Sequence, residues 1–230
     1  ENSDMDCAGD CGGNATYDSC GVCDTNNGNN NITCSACIDL EALNYGLNCD
    51  GETIEDPLID DGCCEYPAQT YYVSIAAEDG GDGSSENPFS SMQSAFSESS
   101  NGDIIYVYPG TYPGDIALPH NLQIISIDGQ DFTTITGQGE SRAFTFREGI
   151  DNTTIIDGFT LIDGYGNLYD ENEDSEFKGG AILVEDASPT FRNLNIRGSQ
   201  ALHGGGIYLK NSNSLIENVS ISGNYTSSGS

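Results

Sequence analysis

The chain has 230 residues, 37 of them acidic and 6 basic, for a formal charge of −31 at neutral pH. That charge repels nucleic-acid phosphates and anionic membranes, and it disfavours a polyanionic substrate unless calcium intervenes. With no apolar run of about 18 residues or more, nothing in it is long enough to span a bilayer, and a soluble protein is expected.

All nine cysteines fall between Cys7 and Cys64, the pattern of a disulfide-stapled region exported to an oxidising place, extracellular or at a cell surface. No secretion signal is visible, so Glu1 is expected to follow a cleavage or an artificial boundary. Residues 1–36 have too few apolar side chains to build a core, so cross-links or metal must hold them together. Cys20-x-x-Cys23 followed by Cys34-x-x-Cys37 has the spacing of a zinc site, but the Asp, Asn and Gly around Cys7, Cys11, Cys20, Cys23 and Cys34 supply hard oxygen ligands suited to calcium. Disulfides are the favoured reading of the cysteines. Calcium is the cofactor expected, with Asp4, Asp6, Asp10, Asp18 and Asp24 as candidate ligands here, Asp60 and Asp61 in the next module, and Asp79 and Asp82 beyond it. The stretch resembles the Asp-Cys-x-Gly-x-Cys-Gly-Gly modules of large bacterial and marine surface proteins, which are similar at a distance to thrombospondin type 3 calcium repeats. The regular Asp-x-Asp-x-Asp-Gly loop of those repeats is absent.

Residues 37–68 form a second stapled repeat. Cys37, Asp39, Ala42, Asn44, Tyr45, Asp60, Asp61, Gly62, Cys64, Glu65 and Tyr66 match a short extracellular motif, and this resemblance implies a Cys37–Cys64 bridge; Cys49 and Cys63 depart from the motif and are candidates for an added one. Five cysteines remain upstream, an odd number, so one is free, bonded to another chain, or paired outside this sequence. Asn14, Asn31, Asn152, Asn218 and Asn224 each open an Asn-x-Ser/Thr sequon. They are candidates for glycosylation, or chance matches in a chain rich in Asn and Thr.

From residue 69 the composition changes to alternating apolar residues, and a domain covering 69–230 is expected. Ser90–Ser99 reads as a short amphipathic helix with Met92, Ala95 and Phe96 on one side, entered through Asn87-Pro88,. It would cover the apolar end of whatever follows. The segment from Tyr71 to Ile116, with its acidic Gly-rich loop, Asn-Pro-Phe, helix and Gly-Asp-x-Ile-x-Val-x-Pro-Gly-x-Tyr, resembles the opening of pectin lyase-like right-handed β-helix proteins. That likeness implies a fold and no particular reaction, since the fold hosts lyases, hydrolases, adhesins and tailspikes alike.

Between Gly179 and Gly223 the sequence repeats at one constant step, pairing Ile182 with Ile207, Val184 with Leu209, Phe191 with Ile216, Asn193 with Asn218 and Ile196 with Ile221. A fixed period of this size with alternating apolar positions marks a solenoid of short strands, a parallel β-helix whose coils bury their inner faces on each other, and the resemblance to pectin lyase-like proteins implies that it is right-handed. The register predicts an Asn193–Asn218 amide ladder and two cross-coil ion pairs, Glu185–Lys210 and Arg192–Glu217. Ile156, Phe159 and Leu161 align in the same way with Phe191, Leu194 and Ile196, but at a step ten residues longer. The extra residues form an acidic loop with Asp170, Glu171, Glu173, Asp174 and Glu176, either merely solvated or a calcium or partner contact. The Gly-Gly-Ala-Ile and Gly-Gly-Gly-Ile coils also resemble the repeats of chlamydial polymorphic outer membrane proteins and related adhesins, with Phe191-Arg192-Asn193-Leu194 displaced by one position. No cap is visible before Ser230, so either the chain continues or another molecule covers that end.

Three functions compete. The favoured one is a non-catalytic surface protein, a rigid β-helical stalk presenting loops to surface glycans or other extracellular proteins. The second is a subunit of an extracellular filament that grows by stacking on copies of itself. The third is a calcium-assisted carbohydrate-active enzyme, either a polysaccharide lyase or a glycoside hydrolase working through paired carboxylates. A lyase needs a Lys or Arg beside a uronate; Lys210 and Arg192 are committed to ion pairs, and Arg142, Arg147, Lys178 and Arg197 are scattered in sequence. Asp128, Asp157 and Asp163 sit at Asp-Gly corners, where turn chemistry suffices, and His120 and His203 are isolated. No catalytic residue is assigned.

Overall fold

The computed structural model describes residues 67–166 and 178–226, together with Thr16–Tyr17, Cys23–Asp24, Leu40 and Leu43. The chain divides into two compact units, Glu1–Pro67 and Ala68–Ser230. In the first, strands β1 (Thr16–Tyr17) and β2 (Cys23–Asp24) pair antiparallel, with Tyr17 opposite Cys23 and Thr16 opposite Asp24.

The second unit is a parallel β-helix, right-handed as the sequence leads one to expect. Its first sheet stacks β3 (Thr70–Val73), β4 (Ile104–Val107), β7 (Gln123–Ser126), β10 (Ile155–Asp157), β13 (Thr190–Arg192) and β17 (Leu215–Glu217). The second stacks β5 (Gly110–Pro113), β8 (Thr133–Thr136), β11 (Thr160–Ile162), β14 (Asn195–Arg197) and β18 (Ser220–Ser222), and the third β6 (Ile116–Ala117), β9 (Phe144–Phe146), β12 (Ile182–Glu185) and β16 (Ile207–Lys210). A short fourth ladder pairs β15 (Gln200–Ala201) with β19 (Tyr225–Thr226). Every strand pair in this unit is parallel, because each strand meets its equivalent one full coil later,.

Inward columns follow from that register. Ile105, Ile124, Ile156, Phe191 and Ile216 form one, and Tyr112, Ile135, Leu161, Ile196 and Ile221 another. Phe144, Ile182 and Ile207 lie beside Phe146, Val184 and Leu209 on the third sheet. All the apolar pairs predicted from the constant step therefore stack, and Ile156 and Leu161 meet Phe191 and Ile196 across the longer one. Core residues of the inner coils are fully buried, whereas Ile216 and Ile221 on β17 and β18 are 41% and 50% exposed. No described strand lies beyond those two in their sheets.

The opposite end is closed. Helix α1 (Met92–Glu98) buries Met92 and Ala95 in the same core as Val73 and Ile105, with Phe96 packed against it. It starts well after the predicted Asn87-Pro88 entrance, because Ser91 supplies the cap: its Oγ accepts the amide of Ser94 at 3.2 Å,. The free edge of β3 is occupied by the chain around Phe89, whose amide donates to the Tyr72 carbonyl while its own carbonyl accepts from Ser74, both at 2.9 Å,. Two residues of the opening signature have clear structural tasks. Asp103, buried, accepts the amides of Gln69 and Ser100, each at 2.7 Å. Tyr112, also buried, donates its hydroxyl to the Tyr108 carbonyl at 2.8 Å.

His120 sits under this closed end, its Nε2 3.2 Å from the Ser99 hydroxyl. Burial pushes the imidazole below its ordinary value, with the Asp103 charge opposing in part. The folded pKa is thus below the unfolded one, near 6.5. The contribution to stability is complete above that value and is lost as pH falls through it toward the folded pKa. The melting temperature should therefore drop modestly between about pH 7 and pH 5, less so in a His120→Gln variant. The lowered carboxyls of Asp82 and Asp151, each held by hydrogen bonds from a nearby Ser or Thr, lose their share only at more acidic pH. Equal drops in the two proteins would remove His120 from the account.

Candidate functional site

Each coil leaves the second sheet through a residue in the left-handed region: Asp115 (φ 63°), Gln138 (φ 55°), Asp163 (φ 51°), Gly198 (φ 69°) and Gly223 (φ 63°). The turn presses backbone on backbone. A Cβ at Gly137 would run into the Ser141 carbonyl, and one at Gly164 into that of Gly180, so the floor here is main chain. Above it lie two grooves. One, of about 650 Å³, is lined by Asp115, Gln138, Glu140, Ser141, Tyr165 and neighbouring backbone. The other, of about 410 Å³, is lined by Gln138, Asp163, Tyr165, Gln200 and Tyr225. They share Gln138, Gly139 and Tyr165, and so run together across successive coils. Tyr165 is in register with Gln200, and Gln200 with Tyr225, making an aromatic–amide–aromatic column on the outer surface.

Neither groove is lined by Lys, Arg or His. Five of the six cations are engaged elsewhere, and the sixth, Arg197, is exposed at the end of β14. Glu185, buried on the outer side of β12, pairs with Arg147, and its Oε1 lies 3.9 Å from the Lys178 ammonium and 4.0 Å from that of Lys210. Lys178 also sits 5.4 Å from the centre of the Tyr208 ring,. Arg192 Nε donates to Glu217 at 2.8 Å. Arg142 Nε donates to the carbonyls of Lys178 and Gly179, at 2.8 and 3.1 Å. Both predicted cross-coil ion pairs form, and Arg147 and Lys178, scattered in sequence, converge with Lys210 on one carboxylate. Loops of unequal length separate the three, so spacing alone could not bring them together.

A third depression, about 500 Å³, lies at the corner between the first and second sheets among Asp128, Gln130, Asp131, Asp157, Asn193 and Asn218. Its rim carries the predicted ladder in extended form: Asn218 Nδ2 donates to Asn193 Oδ1 at 2.6 Å, and Asn193 Nδ2 to Asp157 Oδ1 at 2.7 Å. Asn193 and Asn218 hold φ near 50°, where Asn is tolerated better than most residues. A second ladder, Asn211 Nδ2 to Asp186 Oδ1 at 2.8 Å, repeats the device at another corner.

The family profile described as "Protein of unknown function (DUF1565)" matches residues 75–229. The chain belongs to the DUF1565 family. No curated protein matches it. Among solved structures, a rhamnogalacturonan lyase is similar at 17% sequence identity and a TM-score of 0.43, the match covering 59% of this chain and 38% of the lyase. The DUF1565 chain thus spans well under half the length of that enzyme.

Of the candidate calcium ligands in this DUF1565 chain, Asp79 accepts the Ser90 hydroxyl at 2.8 Å and Asp82 accepts the Ser84 amide at 2.9 Å. Asp24 lies in β2. Asp4, Asp6, Asp10, Asp18, Asp60 and Asp61 fall outside the described residues, as do the loop acids Asp170, Glu171, Glu173, Asp174 and Glu176 and every cysteine but Cys23. Among the described residues no three His, Cys, Asp or Glu side chains converge as metal ligands would, and no helix is long and apolar enough to cross a membrane. Asn14 and Asn31 are likewise outside the described part. Asn152 is exposed at a turn, whereas Asn224 accepts the Ser199 amide at 2.9 Å and donates to the Ile196 carbonyl at 2.8 Å, so a glycan there would displace backbone bonds.

Sequence reasoning missed Asp115, Gln138, Glu140 and the Tyr165–Gln200–Tyr225 column. A signal for the column existed: the two steps that carry Leu161 to Ile196 and Ile196 to Ile221 in the core also carry Tyr165 to Gln200 and Gln200 to Tyr225.

Proposed function

We propose that this DUF1565 chain is a non-catalytic extracellular module that binds carbohydrate, its β-helix acting as a rigid stalk that holds the flank groove in shape. The observation that supports it is the division of side chains. The groove offers carboxylates, amides and tyrosines, while Arg142, Arg147, Lys178, Arg192 and Lys210 are engaged in ion pairs and backbone bonds away from it. Carboxylates and amides pair with sugar hydroxyls, and the apolar faces of pyranose rings rest on tyrosine. Proton abstraction beside a uronate, by contrast, calls for a cation to stabilise the developing charge, and a groove bearing Asp115, Glu140 and Asp163 repels a polyuronate. The Cys- and Asp-rich first unit supports a location outside the cell, with calcium as the ion its oxygen ligands would take.

The test is retention of the whole chain on immobilised neutral, uronate-bearing and sulfated glycans, in calcium and after chelation, with product analysis of every glycan. Retention on neutral glycans without shortening is the expected result. New reducing ends or unsaturated sugars would overturn the non-catalytic reading, and retention on none would overturn binding.

A further inference from the structure

The column that runs up the flank groove constrains the shape of its ligand. Tyr165, Gln200 and Tyr225 occupy equivalent positions on three consecutive coils. Adjacent coils are one strand spacing apart, about 4.8 Å, so the two tyrosines stand roughly 10 Å apart along the solenoid axis. One pyranose of an extended chain advances by about one such spacing. In a 1,4-β-linked chain each ring is turned about half a revolution from the last, so alternate residues offer the same face to one side. Two tyrosines separated by one amide match that alternation, with Gln200 set against the opposite face of the intervening ring.

We propose that the groove takes an extended, uncharged 1,4-β-linked glycan lying along the solenoid axis, with Tyr165 and Tyr225 as platforms for rings two residues apart. This rests on the carbohydrate-binding reading above. Toward the closed end the same groove continues past Gln138 to Glu140 and Asp115, which accept hydroxyl protons without offering a partner to an acidic sugar. From Asp115 on the first coil to Tyr225 on the last, the groove crosses five coils, and so accommodates about five sugar residues at one per strand spacing. A chain with 1,4-α links coils and one with 1,3-β links curves; neither keeps rings in step with a straight ladder.

The experiment is calorimetric titration of the full chain with unsubstituted 1,4-β-gluco-oligosaccharides of increasing length, beside 1,4-α-gluco- and 1,3-β-gluco-oligosaccharides of the same lengths. Affinity for the 1,4-β-linked series should rise with length and level off at about five residues. Tyr225→Ala should weaken binding roughly tenfold, the scale of one lost aromatic platform, and should move the plateau to shorter chains, while Tyr225→Phe keeps both. Tyr225 is more than half exposed, so its replacement leaves the core intact; Tyr165→Ala, checked for an unchanged melting temperature, is the independent second variant. Equal affinity for the coiled or curved glycans, an affinity that stops rising at two residues, or indifference to both tyrosine substitutions would each overturn the proposal while leaving carbohydrate binding standing. Failure to bind any glycan, in this titration and on the immobilised panel alike, would remove both.

Discussion

Phe191→Ala will destabilise the β-helical unit by about 4 kcal/mol, the usual cost of emptying a buried phenylalanine site. Phe191 is fully buried, stacked between Ile156 and Ile216, and its ring meets that of Phe146 edge-on at 5.5 Å. Columns above and below cannot collapse into the gap, because each is pinned by its own strand ladder. For a unit of this size the melting temperature should fall by about 10 °C. Ile221→Ala provides the contrast. It occupies an equivalent inward place in the repeat but is half exposed on β18, and should cost about 1 kcal/mol or less. Circular-dichroism melts of the two variants decide it: similar losses would mean that the last coil is buried in solution after all.

The second large effect belongs to Glu185. Glu185→Leu leaves Arg147, Lys178 and Lys210 facing one another with their shared carboxylate gone. Breaking a buried pair from one side costs about 3–5 kcal/mol. Here the Arg147 and Lys210 side chains keep 33% and 41% of their exposure, so water screens part of the repulsion and about 2–3 kcal/mol is expected. Lys210→Met alone should cost under about 1 kcal/mol, because the remaining pairs still satisfy Glu185. In Glu185→Leu/Lys210→Met part of the loss should return, since one stranded charge has been removed. Losses that simply add would show that the three cations act independently and that the cluster is not a unit.

The fold was legible because a solenoid writes its contacts into its period. Ile182 over Ile207, Phe191 over Ile216 and Asn193 over Asn218 all follow from counting one step along the chain. So do the two cross-coil ion pairs, since charges at equal positions in successive coils must lie side by side. The start of α1 was less legible: Asn87-Pro88 is a plausible helix entrance, but the chain there is spent covering the edge of β3, and Ser91 caps the helix instead. The Arg147–Lys178–Glu185 cluster was not legible at all, since Arg147 follows β9 while Lys178 and Glu185 lie on the next coil, past the insertion. The groove stood between these cases. Its column obeys the known register, yet Asp115, Gln138 and Glu140 reach it through corners whose lengths differ from coil to coil.

Those corner lengths carry a further consequence. Ile104, Gln123, Ile155, Thr190 and Leu215 stand in one column, yet the stretch of chain from Ile155 to Thr190 is far longer than that from Ile104 to Gln123, while the strand lattice stays fixed. Frame and surface are therefore inherited separately. A corner can be lengthened, shortened or exchanged without shifting a single inward residue, because the next strand is held by the ladder beneath it. Such an architecture can acquire a new specificity one loop at a time, each trial leaving the rest of the molecule folded, and the same modularity offers an engineer ready sites for grafted segments.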